Sequence, residues 1–457
     1  MEKQTQLKKK IKHVNVASFA IVNSDAAGID VASKMHVVAV PPGRDSINVK
    51  EFGAFTEDLQ SIAEWLKKCK VDKVAMESTG VYWKQLYLVL IEHGFEVSLV
   101  NAKHVKNVTG RKTDMDDAQW IQKLHSCGLL RSSFLPDDLT ESLRSLVRHR
   151  KSLIEDSSRY VLRMEKALDL MNIKIHGVIS DLMGKSGTAI LEAIIAGERE
   201  PENFMQHLDY RIKANREEIK KSLKGNWRNE HLFLLNENYK LYGFVQQRIL
   251  SCEKEIELHM QRMGAVNNEG TIESIPQEGV LKKKNEKKSK NQPDFDVRGY
   301  LLKLHGVDVI DIFGIRENSA MEILAETGTD LSKWENEKKF VSWLNLCPNN
   351  KISGGKLISS MVLKKKTGLA SKAFRAAANS VQKSDNWLGD FFRRKKARGG
   401  NKYAIIATAR KIAIIYYKMV RYKQGFKPLD TEEYREDFKA AKIARLEKQI
   451  AKLKGAA

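Results

Sequence analysis

The sequence predicts an α/β domain followed by a mainly α-helical remainder. Three observations carry this reading. Residues 25–130 read as three strands, after which helices alternate with strands. Two long stretches of the middle set apolar residues at alternating steps of four and three. The last third reads as short helices between Gly and Pro stops. The boundaries that follow are 25–130 for the α/β domain, 131–263 for a helical coiled-coil region, and 264–298 for a basic flexible linker. A mainly helical C-terminal domain (299–425) and a charged helical tail (426–457) complete the chain.

In the first domain, 27–32 reads as a buried strand, and 35–40 follows after a short polar turn, so the two form a hairpin. Residues 48–55 make a third strand. Thr56 has the character of an N-cap, with Leu59, Ile62, Ala63 and Leu66 at helical spacing behind it. Residues 73–77 form a fourth strand, 81–93 an apolar helix closed by Gly94, 96–100 a fifth strand, and 114–127 a helix closed by Gly128. This order is that of the ribonuclease-H-like (RuvC-like) fold. In that fold the first strand, the end of the fourth strand and the final helix converge. Asp30, Glu77, Asp114 and Asp117 stand at those three places.

The run Lys112-Thr113-Asp114-Met115-Asp116-Asp117-Ala118 lies behind the basic residues Lys103, His104, Lys106 and Arg111. On a helix Asp114 and Asp117 share a face. Clustered acids repel and need a cation or a proton to coexist. A hard cation such as Mg²⁺, shared with substrate phosphates, suits them. A solvated acidic first turn, favoured by the helix dipole, is the plainer alternative. Asp30 fits the plain reading least, because an uncompensated charge between Ile29 and Val31 on a buried strand is costly. Actin-like ATPases and sugar kinases share the Gly-Ile-Asp opening. Their second phosphate-binding hairpin and Gly-rich adenosine loop have no counterpart here.

Composition narrows the partners. Lys+Arg number 79 against 57 Asp+Glu, a net charge of +22 over 457 residues. That surplus suits a polyanion, nucleic acid before anionic membrane. The four cysteines (Cys69, Cys127, Cys252, Cys347) are far apart and form no CxxC pair. They suit a reducing, cytoplasmic compartment and argue against a zinc site. No apolar run approaches the roughly 20 residues of a membrane span.

The first heptad seam runs from Leu139 through Leu143, Leu146, Arg150, Leu153, Ser157, Tyr160, Met164 and Ala167 to Met171. The second runs from Leu235 through Tyr239, Tyr242, Gln246, Ile249, Glu253, Ile256 and Met260 to Met263. The two predict a long antiparallel pair. Arg148, Arg150, Lys151, Arg159 and Arg163 read as a nucleic-acid contact or, equally, as a solvated face. Gly184-Lys185-Ser186-Gly187 lacks P-loop spacing and reads as a turn.

In the last domain Ser353 lies in a Gly-flanked polar loop between Lys351 and Lys356. A serine hydroxyl needs a base or a metal to become a nucleophile. Gly354 and Gly355 allow close backbone approach to a phosphate. Beyond them come Lys364, Lys365 and Lys366, then Arg393, Arg394, Lys395 and Lys396, interleaved with Phe374, Trp387, Phe391 and Phe392. Cations beside aromatics suit contact with phosphate and bases. The nucleic-acid-binding residues expected on these grounds are these seven with Arg111, Lys112 and Lys356.

Three blocks occur in order: Gly28-Ile29-Asp30-Val31-Ala32, Met76-Glu77-Ser78-Thr79-Gly80, and Lys112-Thr113-Asp114-x-x-Asp117-Ala118. They resemble the DEDD-type insertion-sequence transposases of the "one-hundred-and-ten" family, bridge-RNA-guided serine recombinases with a RuvC-like domain. Gly314-Ile315, Ala320, Glu326, Gly328, Phe340, Leu346, Pro348 and Ser353-Gly354-Gly355-Lys356 are similar to that family's second transposase domain. Its usual Pro-Gly-Ile-Gly turn is Phe313-Gly314-Ile315-Arg316 here. The resemblance implies that Asp30, Glu77, Asp114 and Asp117 are a catalytic, Mg²⁺-binding tetrad. It implies that Ser353 forms a covalent phosphoserine link to DNA, with Ser359 and Ser360 as nearby alternatives. It further implies sites shared between subunits, dimers assembling into tetramers, a noncoding guide RNA paired with donor and target DNA, and a prokaryotic, nucleoid-associated protein. The alternatives are a hydrolytic nuclease resembling Holliday-junction resolvases and an inactive nucleic-acid-binding descendant.

Overall fold

The computed structural model describes residues 20–101, 117–267, 291–362 and 368–454. The chain divides into two units, Met1–Leu135 and Pro136–Ala457.

In the first unit β1 (Ala26–Val31), β2 (Met35–Ala39) and β3 (Val49–Gly53) form an antiparallel meander. Then come α1 (Thr56–Lys68), β4 (Lys73–Glu77), α2 (Trp83–Glu92), β5 (Glu96–Val100) and α3 (Asp117–Ser126). The sheet order is β3-β2-β1-β4-β5, with β1, β4 and β5 parallel. This is the ribonuclease-H-like order that the sequence predicts. Central strand β1 is buried on both faces, as parallel strands covered by helices are. Ile29, Val74 and Met76 pack on one face with Leu59, Ile62 and Leu66 of α1 and Leu86 and Leu90 of α2. On the other face Ala75 and Val100 pack with Trp120, Ile121 and Leu124 of α3.

Gly28 fixes how α3 lies there. A Cβ on it would stand 2.2 Å from the Gln122 nitrogen and 2.4 Å from the Ala118 oxygen. The helix backbone therefore rests directly on β1, which only glycine permits. Two boundaries differ from expectation. Phe55, not Thr56, caps α1, because the Asp58 carboxylate reaches back to accept the Phe55 N–H at 3.0 Å. And α2 begins at Trp83, leaving Val81 and Tyr82 exposed ahead of it.

The second unit is built on α4 (Asp138–Leu170) and α8 (Asn229–Asn267). Leu139, Leu146, Arg150 and Ser157 of α4 bond to His259, Cys252, Glu253 and Gln246 of α8 respectively, so the helices run antiparallel. Between them the chain forms α5 (Ile175–Val178), α6 (Lys185–Ala196), a 3₁₀ turn (Asn203–His207) and α7 (Arg216–Ser222). These cap one end of the pair around Ile190, Leu191, Phe204 and Ile219. The stretch 184–187, expected as a turn, instead opens a helix: Gly184 is the N-cap of α6 and Gly187 sits in its first turn.

The polar seam positions pair with each other. Arg150 Nε donates to Glu253 at 2.8 Å, both side chains almost wholly buried. Gln246 donates to the Ser157 hydroxyl at 2.7 Å. Of the basic residues of α4, Arg150 is buried, whereas Arg148, Arg159 and Arg163 are exposed and each has a partner within the chain. Arg148 pairs with Glu326, Lys151 with Glu322 and Arg159 with Asp156, while Arg163 lies over the Tyr160 ring.

The remaining elements are α9 (Val297–His305), α10 (Glu317–Thr327), α11 (Glu337–Trp343), the hairpin β6 (Asn349–Ser353) and β7 (Lys356–Met361), α12 (Leu369–Ser380), α13 (Trp387–Tyr422) and α14 (Thr431–Lys454). Trp334, Phe340, Phe374, Tyr416 and Tyr417 form a connected group of ring contacts at their centre. α13 is broken at Gly400 (φ 77°, ψ 178°). The segment read as a flexible linker is fixed at both ends. α8 continues to Asn267, the Asn291 carbonyl accepts from Arg150, and the Asp294 N–H donates to Glu253. Its Lys-rich run lies outside the described residues. No described helix is long and apolar enough to cross a membrane.

Candidate active site and nucleic-acid surface

Three of the four expected acids are described. Asp114 lies outside the described residues, as do Arg111 and Lys112. On the adjacent parallel strands β1 and β4, Ile29 stands opposite Met76, and both enter the core beneath α1 and α2. Side chains alternate along a strand, so the next residues, Asp30 and Glu77, face the side on which α3 packs. Gly28 and Ala75, two residues earlier on each strand, confirm that side, since both meet α3. Asp117 is the first described residue of α3, directly before Ala118, whose carbonyl lies against Gly28. All three carboxylates are half-buried. Glu77 Oε1 accepts from the Thr79 hydroxyl at 3.0 Å. Burial pushes the imidazoles of His36 on β2 and His125 on α3 below their ordinary value.

Among the described residues no group of three or more His, Cys, Asp and Glu side chains is arranged to hold a metal ion. The donor set itself fits a hard divalent cation: carboxylate oxygens from two neighbouring strands and from α3.

Ser353 ends β6 and pairs with Lys356, which starts β7. Gly354 and Gly355 have φ of 56° and 75°. Two consecutive residues with positive φ make the tight two-residue turn of a hairpin. The expected polar loop is thus a hairpin, and Ser353 stands exposed at its tip. Ser359 and Ser360 lie further back, opposite Lys351 and Asn350, and the Ser360 hydroxyl donates to Asn350 at 2.7 Å.

Lys364, Lys365 and Lys366 lie outside the described residues. The basic run on α13 is divided in its use. Arg393 bonds Asp390 at 2.5 Å and the carbonyls of Gln382 and Ser384. Arg394 lies 4.4 Å from the Tyr434 ring and 4.0 Å from the Phe438 ring, and bonds the Tyr434 hydroxyl. Lys395 covers Phe391 and Tyr403. Lys396 is exposed and shares a cleft with Lys383. The aromatic clamp on Arg394 escaped the sequence reading. Its only local signal is two aromatics four residues apart on the tail helix.

Residues 27–173 match the family model DEDD_Tnp_IS110, described as a transposase. Residues 309–393 match the model described as Transposase IS116/IS110/IS902 family. The chain belongs to the IS110 family of transposases. Between them the two matches take in Asp30, Glu77, Asp117 and the serine hairpin. No curated protein matches the chain. The transposase is a DNA-processing enzyme, and its first matched domain is of the DEDD type, a class that works with a divalent metal. The second match ends at Arg393, so the rest of α13 and all of α14 lie outside the matched segments.

Proposed function

We propose that this transposase cuts and rejoins the DNA of its mobile element by transesterification, with Ser353 as nucleophile and Asp30, Glu77, Asp114 and Asp117 as ligands of Mg²⁺. The observation that carries the reading is the side-by-side placement of Asp30 and Glu77 on the face of the sheet that α3 covers, with Asp117 on that helix one residue before the contact with Gly28.

In the first step the Ser353 Oγ bonds to a DNA phosphorus and a P–O bond to deoxyribose breaks. The serine proton is lost, and the departing sugar oxygen gains one. In the second step a sugar hydroxyl of another strand attacks the phosphoserine, restoring the serine and joining the strands. No water is consumed. A bound divalent ion would polarise the phosphate and offset the charge that builds on it. Lys356 sets a positive charge opposite the nucleophile, and Gly354 and Gly355 leave the turn free of side chains where a phosphate must approach. A noncoding guide RNA and a homo-oligomer working on element ends and target belong to the same reading. The net charge of +22 and the resemblance noted above support it.

The test expresses wild type, Asp30→Ala and Ser353→Ala with the native element on a plasmid, flanks intact, and sequences across the circular junction of the excised element. A junction from wild type alone is the expected result. A junction surviving Ser353→Ala removes the serine role. Free DNA ends without a protein–DNA adduct would identify a hydrolytic nuclease instead.

A further inference from the structure

The C-terminal helix α14 has a held root and an unheld end. At its root Tyr434 packs edge-on against Trp387, Arg435 bonds Asp385 and Asp390, and Tyr434 and Phe438 flank Arg394. From Glu436 onward every described side chain is exposed. The free end spans 16 residues, 439–454, about 24 Å of helix. A helix that short is marginal in water without a partner.

Its apolar residues form one stripe. Ile443, Leu446 and Ile450 are 56, 43 and 51% exposed and spaced by three and four, and Leu453 continues that spacing in the sequence. These are heptad a and d positions, with Ile at a and Leu at d, the choice that favours two parallel strands. Lys442 and Glu447 then occupy g and the following e. In a parallel, in-register pair Lys442 of one copy meets Glu447 of the other, twice by symmetry. An antiparallel pair overlapping the same apolar residues would set Glu447 against its own copy. Upstream, Glu436 and Lys439 fall on the same stripe and end the apolar seam where the root begins.

We infer that residues 442–453 of α14 pair in parallel with the same segment of a second copy of this chain, as a short two-stranded coil. The pairing does not depend on the chemistry proposed above. Because each root is bolted to Arg394, the coil would hold two basic α13 segments together. A DNA contact made by one copy would then raise the local concentration of the other.

The test uses the full chain carrying Leu446→Cys, a d position, under mild oxidation, read on a non-reducing gel. Wild type reports background from its four cysteines; burial pushes the thiols of Cys69, Cys252 and Cys347 up, which slows their oxidation. Ala444→Cys, on the outer face, is the paired control. The expected result is a cross-linked dimer from Leu446→Cys and none above background from Ala444→Cys. Adding Lys442→Glu to Leu446→Cys should lower the cross-linked fraction several-fold, and adding Glu447→Lys as well should restore it. No dimer from Leu446→Cys, or as much from Ala444→Cys, overturns the pairing. Failure of the double charge exchange to restore the dimer overturns the parallel register.

Discussion

His305 shows how a single buried side chain can govern the acid limit of this protein. Its ring is fully enclosed, with the Tyr416 hydroxyl 3.1 Å from Nε2. Burial, with Lys423 nearby, pushes its pKa from 6.5 down to about 3. Above pH 6.5 the ring is neutral in both the folded and unfolded chain, and its contribution is constant. As pH falls below 6.5 the unfolded chain takes up a proton that the folded one refuses, so stability declines until about pH 3. Between pH 6.5 and 5 the loss should be about 2 kcal/mol, at about 1.4 kcal/mol per pH unit. Urea unfolding of wild type and His305→Gln at both pH values checks this; equal losses in the two proteins would remove His305 as the cause. Gly28 makes a different point at the same scale. Its place in a strand is legible in the Gly-Ile-Asp run, but its need for glycine is not. The atoms that exclude a side chain belong to Ala118 and Gln122, some ninety residues away.

At the scale of elements, the periodicity of α4 and α8 was legible because heptad spacing is local. The meaning of their polar interruptions was not. Arg150 and Ser157 find Glu253 and Gln246 about a hundred residues on, and Arg148 finds Glu326 still further along. Removing one partner of a buried pair leaves the other charge uncompensated. Arg150→Met should therefore cost about 3–5 kcal/mol in denaturant unfolding, and Arg150→Met with Glu253→Leu should recover most of it. The hairpin was missed for a related reason. Ser-Gly-Gly-Lys reads as an open loop until Ser353 is seen to pair with Lys356. Asn tolerates positive φ and a β-branched residue does not. Gly354→Asn should keep most excision activity, and Gly354→Val should lose it by about tenfold or more, roughly the effect of 1–3 kcal/mol of backbone strain at a working site. The junction assay above, read quantitatively, separates the two.

For the molecule as a whole, charge was the most legible property, although composition does not say where the charge acts. Of the basic residues expected to meet nucleic acid, Arg393 and Arg394 are engaged within the chain, whereas Lys396 stays exposed. DNA affinity should still fall steeply with salt, by a slope of about 0.9 in log–log terms for each phosphate neutralised. Lys396→Ala should lower that slope by about one, and Arg394→Ala should change it less. Filter binding across a salt series would measure both, and equal slopes for the two variants would refute the distinction. The two polar crossbars between α4 and α8 carry one more implication. An all-apolar seam permits two helices to slip by a turn, whereas Arg150–Glu253 and Ser157–Gln246 bond in one register only. The described 39 residues of α8, about 58 Å of helix, are thereby held against α4 in a single alignment.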